Sequence, residues 1–197
     1  MLFRIQMKWK ITYGETVMNK TERLLNKNSF AITRGHDFVE IDGVKWATCN
    51  LGAENPEDPG LYFMWGDTKG YPSIRLMDFN EHPHYIGIIN NMWAKYNRSD
   101  GEKILELEDD PAHVLWGGKW RTPTIDEFRK LDDFFYRNRG DSDTKILFPE
   151  CNYWTSEKTN VDYCPEAAFV YKRSRQFVMF DTKGRYKLCC IRPVLDV

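Results

Sequence analysis

Apolar residues recur at helical spacing in one segment of the chain, where polar residues fill the intervening positions. The apolar positions are Ile125, Phe128, Leu131 and Phe135, which would share one face of a helix. Thr124 with Glu127 three residues later forms a capping box, in which each side chain accepts a hydrogen bond from a backbone N–H at the helix start. This pattern predicts one clear helix, over about residues 124–136.

A second, shorter helix is indicated by its capping residues. Asp110 offers a side-chain acceptor just before Pro111, and proline is favoured at the first helical position because its missing N–H would have no partner there. Residues 112–115 are therefore predicted to form one helical turn, which Gly117 and Gly118 end.

The other apolar runs are short and lie between polar turns, a pattern typical of β-strands. Residues 38–46 predict two strands about an Asp42–Gly43 turn, and residues 61–65 predict a buried strand. Further strands are predicted at 145–148, 153–155, 167–171, 177–180 and 186–191, with turns at 172–175 and 181–184. We expect the last three strands to form an antiparallel meander with 177–180 at its centre, because both faces of that run are apolar.

Aromatic residues make up 15% of the chain, and seven of them are tryptophans. Rings of this size fill a core in which regular structure is sparse, so we expect a loop-rich α+β fold with short antiparallel strands. The predicted core rings are Trp46, Trp65, Trp116, Trp120 and Trp154. Arg121 and Arg192 are expected to be buried or half-buried and to donate hydrogen bonds to loop carbonyls.

Charge and hydropathy exclude several classes of protein. The net charge of −1 gives no general field for nucleic acid, and no apolar run approaches the ~18 residues of a membrane span. The first residues lack the unbroken apolar stretch of a signal peptide, so the chain as written is predicted to be cytoplasmic. Residues 1–36 are predicted to be an extension or attachment arm, with Met1, Met7 and Met18 as possible starts, and residues 37–197 to be the domain.

No cofactor or metal is predicted. The five cysteines contain no C-x-x-C pair and are interpreted as free thiols in a reducing compartment. His82 and His84 lie in a mostly irregular segment, residues 66–109, and lack the spacing of zinc ligands, so they are interpreted as part of a polar loop.

Four segments occur together in an order that resembles one known family. They are VKWATCNLGA at 44–53, YFMWGD at 62–67, WGGKWRTPT at 116–124 and IRPV at 191–194. In this order they resemble the Fibrobacter succinogenes major paralogous domain, a family of gut bacteria and their phages, and YWTS at 153–156 stands where that family usually has YWSS.

The resemblance implies a C-type lectin-like fold. Formylglycine-generating enzymes and the variable proteins of diversity-generating retroelements share that fold, so it does not by itself imply a function. The chain has no Glu-Pro-Asn or Gln-Pro-Asp sugar motif, and residues 147–152 replace the longer Gly- and Ser-rich stretch that family members have before YWSS.

A local excess of basic residues marks the C-terminal segment, which holds seven Lys and Arg against two Asp between Phe169 and Val197. Tyrosine with arginine is common in recognition surfaces, so we expect a non-catalytic domain that binds a protein or glycan there. The candidate ligand-binding residues are Asn152, Tyr153, Asn160, Asp162, Tyr163, Tyr171, Arg173, Arg175, Gln176, Lys183, Arg185 and Tyr186. No catalytic residues are predicted, because the four histidines lie in irregular segments and the chain has no elbow motif such as G-x-S-x-G.

Two other functions remain open. The first is a structural subunit of a phage particle, at a fibre tip or as a decoration, which would form an oligomer or attach to the virion through residues 1–36. The second is an oxidase of the formylglycine-generating type, for which Cys189 and Cys190 are the only adjacent thiols.

Overall fold

The computed structural model describes residues 36–87, 92–138, 146–158, 166–173 and 176–196. These residues form an α+β fold rich in loops, as predicted, with antiparallel sheets and one main helix. None of the described helices is long and apolar enough to cross a bilayer. His36, the last residue of the predicted extension, stacks on Trp116 with ring centroids 3.6 Å apart, so it packs with the domain.

The first sheet brings the two ends of the described domain together. It has the order β1-β2-β9-β5, with all neighbours antiparallel: β1 is Phe38–Ile41, β2 Val44–Ala47, β5 Trp120–Arg121 and β9 Val194–Leu195. The predicted hairpin is confirmed, since Asp42 and Gly43 form its turn with φ of 47° and 78°. A further two-stranded sheet pairs β3, Tyr85–Gly87, with β4, Met92–Trp93.

Both predicted helices are confirmed, together with their caps. In α1, Pro111–Trp116, the Asp110 side chain accepts a hydrogen bond from the backbone N–H of Ala112. In α2, Ile125–Arg137, the capping box of Thr124 and Glu127 is complete. Short 3-10 turns lie at Phe79–Glu81 and Leu107–Asp109.

The meander is real but consists of different strands from those predicted. Its order is β6-β7-β8, with β6 Asn152–Lys158, β7 Glu166–Arg173 and β8 Gln176–Gly184. Residues 181–184 continue β8 instead of turning, and 177–180 lie in an edge strand instead of the central one. Residues 186–191 do not form a strand beside β8, because the chain turns at Gly184, whose carbonyl accepts a hydrogen bond from the N–H of Lys187, and because the Arg185 side chain is buried elsewhere. Cys190 makes only an isolated parallel bridge to Tyr153 of β6.

Two other predicted strands are reduced to isolated bridges or irregular chain. In the segment 61–65, Tyr62 bridges to Tyr71 and Phe63 to Cys189, without forming a continuous strand. Residues 146–149 have no regular structure.

The core consists mainly of two clusters on opposite sides of the β6-β7-β8 sheet. One lies between α2 and the sheet and includes Trp46, Phe128, Leu131, Tyr153 and Val170. The other, on the far side, includes Trp65, Tyr96, Trp154, Phe169 and Ile191. Of the tryptophans predicted to be in the core, Trp116 is half-buried and the others are buried.

Arg192 links loops that meet between these clusters, as predicted. Its side chain is fully buried and donates to the carbonyls of Ala47, Thr48 and Leu147, and to the Asn50 side chain at 2.8 Å. Arg121 is half-buried as expected, but its main partner is the Glu127 carboxylate, with two bonds at 2.9 and 2.7 Å.

We expect Arg192→Met to lower the free energy of unfolding by about 2–4 kcal/mol, because it leaves several buried acceptors without a donor. Urea denaturation measures this change. The control is Arg129→Met on α2, where the arginine side chain is 55% exposed and the expected loss is under about 0.5 kcal/mol. Equal losses in the two variants would contradict the role given to Arg192.

Candidate functional site

The structure separates the twelve predicted binding residues into groups. Four are half-buried: Asn152, Tyr171, Lys183 and Tyr186. Two are fully buried: Tyr153 and Arg185. Arg173 and Gln176 lie at the turn-proximal ends of β7 and β8, and their side chains are outside the described residues, as are Asn160, Asp162, Tyr163 and Arg175 altogether.

The expectation that Tyr153 and Arg185 lie on a presented surface is wrong. The Tyr153 ring packs in the cluster under α2, and its hydroxyl donates to the Pro149 carbonyl at 2.9 Å. Arg185 donates to the Lys95 carbonyl at 3.1 Å. A polar side chain next to a turn can point inward when loop carbonyls need a donor, and both residues do so.

Strand register brings several of the remaining residues together on one side of the sheet. Asn152 pairs with Tyr171 across β6 and β7, and Lys183 pairs with Ala167 across β7 and β8. Because paired residues and alternate residues of a strand share a face, these side chains lie on the same side. We call the polar positions on this side the Tyr171 face: Asn152, Tyr171, Asp181 and Lys183.

The Tyr171 face borders on the second core cluster. Asp181 is exposed, and the Lys183 ammonium lies 4.4 Å from the centre of the Phe169 ring. Tyr171 packs at the margin of the cluster that contains Trp154. The face therefore combines half-exposed ring and alkyl surface with charged and amide groups. Tyr186 lies apart from it, against a smaller cluster with Met64 and Leu188.

A second polar group, which the sequence did not reveal, surrounds Asp109. We call it the Asp109 cluster: His84, Lys95, Tyr96, Glu106, Glu108 and Asp109. One Asp109 oxygen accepts hydrogen bonds from Tyr96 at 2.7 Å and Lys95 at 2.9 Å, and the other lies 3.2 Å from Nε2 of His84.

The Lys95 ammonium occupies the middle of three carboxylates. It bonds to Glu106, Glu108 and Asp109, whose oxygens lie within 4.8 Å of one another. Burial opposes ionisation of Asp109, but the hydrogen bonds from Tyr96 and Lys95 outweigh it and lower the pKa of Asp109. Three carboxylates could bind a divalent cation through their oxygens, but here the Lys95 ammonium pairs with them instead. The cluster thus closes the loop between residues 95 and 109.

Arg185 lies beside this cluster in a cage of aromatic rings. Its guanidinium carbon is 4.1 Å from the centre of the Trp93 ring, 5.1 Å from that of Trp65 and 5.5 Å from that of Tyr96. Burial lowers the pKa of Arg185. Its Nε and Nη2 have no hydrogen-bond partner within the described ranges, so the ring faces supply most of its stabilisation.

His82 is held in a single neutral form by its two hydrogen bonds. Its Nε2 donates to the Trp65 carbonyl at 2.7 Å, and its Nδ1 accepts from the backbone N–H of His84 at 3.1 Å. A proton on Nδ1 would break the second bond. Burial, followed by the charge of Arg185, lowers the pKa of His82 to about 3.

The sequence signals for these groups were weak. Histidines at 82 and 84 and rings at 93 and 96 are visible, but their partners Trp65, Asp109 and Arg185 are distant in the chain. No local spacing connects them.

No family model matches the chain, and neither the curated proteins nor the solved structures compared with it include a match. The resemblance to the Fibrobacter succinogenes domain therefore stays a hypothesis based on its sequence motifs.

We expect the free energy of unfolding to fall by about 2 kcal/mol more in the wild type than in His82→Gln when the pH is lowered from 6.5 to 4.5. In this range the unfolded chain binds a proton that folded His82, with its lowered pKa, does not bind, so stability decreases as the pH falls. Urea denaturation at the two pH values measures the difference. The wild-type pH dependence in His82→Gln would refute the assignment.

Proposed function

We propose that residues 37–197 are a non-catalytic recognition domain of the C-type lectin-like type, which binds a glycan through the Tyr171 face. The observation that carries the proposal is the register that aligns Asn152 with Tyr171 and places Lys183 on the same side of the sheet. The sequence motifs at 44–53, 116–124 and 191–194 support the fold type.

The sheet beneath this face is well supported. Central strand β7 is buried on both sides, with Val170 in the cluster under α2 and Phe169 in the cluster on the far side. Lys172 on the same strand is also buried. A surface fixed in this way loses little conformational entropy when it binds, so modest contacts suffice for useful affinity.

The chemistry of the Tyr171 face suits a sugar. A tyrosine ring offers apolar surface to the C–H groups of a pyranose, and its hydroxyl can form a hydrogen bond. Asn152 supplies an amide with both donors and acceptors, and Asp181 and Lys183 add charged partners for hydroxyl groups. Asn152 lies directly opposite Tyr171, and Asp181 and Lys183 lie on the same side of the sheet opposite Phe169 and Ala167.

The geometry gives less support to an oxidase of the formylglycine-generating type. Cys189 and Cys190 lie in different core clusters, on opposite sides of their segment, so they do not form a joint thiol site. Within the described residues, the members of the Asp109 cluster bond mainly to one another.

A structural subunit of a phage particle is the alternative. It is favoured by the stacking of His36, the last residue of the predicted arm, on Trp116 of the domain. In that case residues 1–36 would mediate assembly.

For the recognition function, we expect the full chain to bind members of a printed glycan array and the double variant Tyr171→Ala/Lys183→Ala to bind them at least tenfold more weakly. The matched control is Tyr136→Ala/Lys130→Ala, which removes the same residue types from the exposed side of α2. Thermal melting checks that both variants are folded. Equal binding by both variants, or an array without any bound glycan, would refute the proposal.

The structural alternative makes a separate prediction. If residues 1–36 are an attachment arm, size-exclusion chromatography with light scattering should show an oligomer for the full chain and a monomer after their removal. Identical masses per particle for both proteins would argue against the arm, whatever the glycan array shows.

A further inference from the structure

Two cysteines from distant parts of the sequence meet beside the start of β6. The backbone N–H of Cys190 donates to the Asn152 carbonyl at 2.8 Å, and the N–H of Trp154 donates to the Cys190 carbonyl at 3.0 Å. These bonds make Tyr153 and Cys190 a parallel bridge pair. Cys151 therefore lies two residues before Tyr153, the residue with which Cys190 pairs.

The side chains of this pair point to the same side. Bridge partners share a face, and Cys151 precedes Tyr153 by two residues in extended chain, so all three side chains enter one cluster. Cys151 and Cys190 both belong to the buried cluster between α2 and the sheet. Neighbouring Cys189 points the opposite way into the second cluster, which makes it a natural control.

The two thiols differ in their access to solvent. Both residues are buried, but Cys151 is 9% exposed whereas Cys190 is 0% exposed. An oxidant that enters the core from this side meets Cys151 before Cys190, so Cys190 is placed to react second. One thiol that is oxidised first, beside a second that resolves it, is the general arrangement for reversible thiol oxidation.

We propose that Cys151 and Cys190 are a redox modification site, at which a peroxide converts the two thiols into an intrachain disulfide. This inference concerns the core beneath α2 and is independent of glycan binding.

The reaction proceeds in two balanced steps. The Cys151 thiol loses its proton, the thiolate attacks one peroxide oxygen, and the O–O bond breaks. Cys151 becomes a sulfenic acid, and the other oxygen leaves as hydroxide, which takes up the proton released by the thiol and becomes water. The Cys190 sulfur then attacks the Cys151 sulfur, the S–O bond breaks, and a second water leaves with the Cys190 proton. Two thiols are oxidised by two electrons and one peroxide is reduced to two waters.

The surroundings favour Cys151 as the first to react. The neighbouring Cys190 side chain lowers the pKa of Cys151 more than burial raises it, and the Arg192 charge acts in the same direction. The Cys190 pKa is raised by this same interaction and by burial. Once Cys151 is a neutral sulfenic acid, its negative charge no longer opposes ionisation of Cys190.

The disulfide would close a loop of about 40 residues between β6 and the segment that carries Arg192. Oxidation should therefore raise the melting temperature by roughly 5–10 °C, because the bond restricts the unfolded chain. Reduction with dithiothreitol should reverse the shift.

The test treats the full chain with hydrogen peroxide and identifies the oxidised peptides by mass spectrometry. We expect the Cys151 and Cys190 peptides to be joined, with the loss of two hydrogen atoms, and the melting temperature to rise. Cys189→Ser should retain both results, and Cys151→Ser should lose both while circular dichroism shows that it is folded.

Two outcomes would overturn the proposal. One is the addition of two oxygen atoms to Cys151 with Cys190 unchanged, which would mean that the sulfurs cannot approach to bonding distance. The other is an equal yield of links from Cys151 to Cys49 or Cys164, which would mean that the native pairing does not direct the reaction. Because the linkage is mapped in the wild type, the result does not depend on how well the variants fold.

Discussion

A single buried guanidinium holds the domain's loops in place. Arg192 is fully buried, and its hydrogen bonds reach the end of β2, the following loop and the segment before β6. A loop-rich core buries carbonyls that no strand or helix can pair, and each would cost free energy if left without a donor. An arginine with five donors satisfies several of them at once, so the packing of Trp46 and Phe148 near it depends on this one side chain.

The same principle shapes the part of the surface available for recognition. Arg185 and His82 are turned inward to stabilise loops, and central strand β7 is covered on both sides. Some polar side chains that the sequence pattern assigns to the surface are therefore buried and form their hydrogen bonds within the core. Those that remain accessible lie at the margin of the two clusters, around Tyr171 and Lys183. The proposed recognition would therefore use this margin and not the whole sheet.

Local signals predicted the elements that local interactions create. The Asp110 cap of α1, the capping box of α2 and the turn at Asp42–Gly43 involve residues a few positions apart, and their prediction was correct. The strand predicted over residues 186–191 was wrong, because the course of this segment is set by Arg185, whose side chain bonds to backbone about 90 residues away. The prediction that Tyr153 lies on the surface was wrong for a similar reason, since its burial depends on Phe128 of α2. The order of the strands was also missed, because apolar alternation alone cannot show which strand becomes central.

The bridge from Phe63 to Cys189 and the pairing of β2 with β9 have a consequence for how the domain folds. In the first sheet Trp46 pairs with Val194, so strands about 150 residues apart must meet before the sheet can close. Contacts between residues this far apart form slowly, because a long loop must close before the contact stabilises the chain. Closure of the first sheet is therefore a late step in folding, and the apolar rings that it covers are open to aggregation until then.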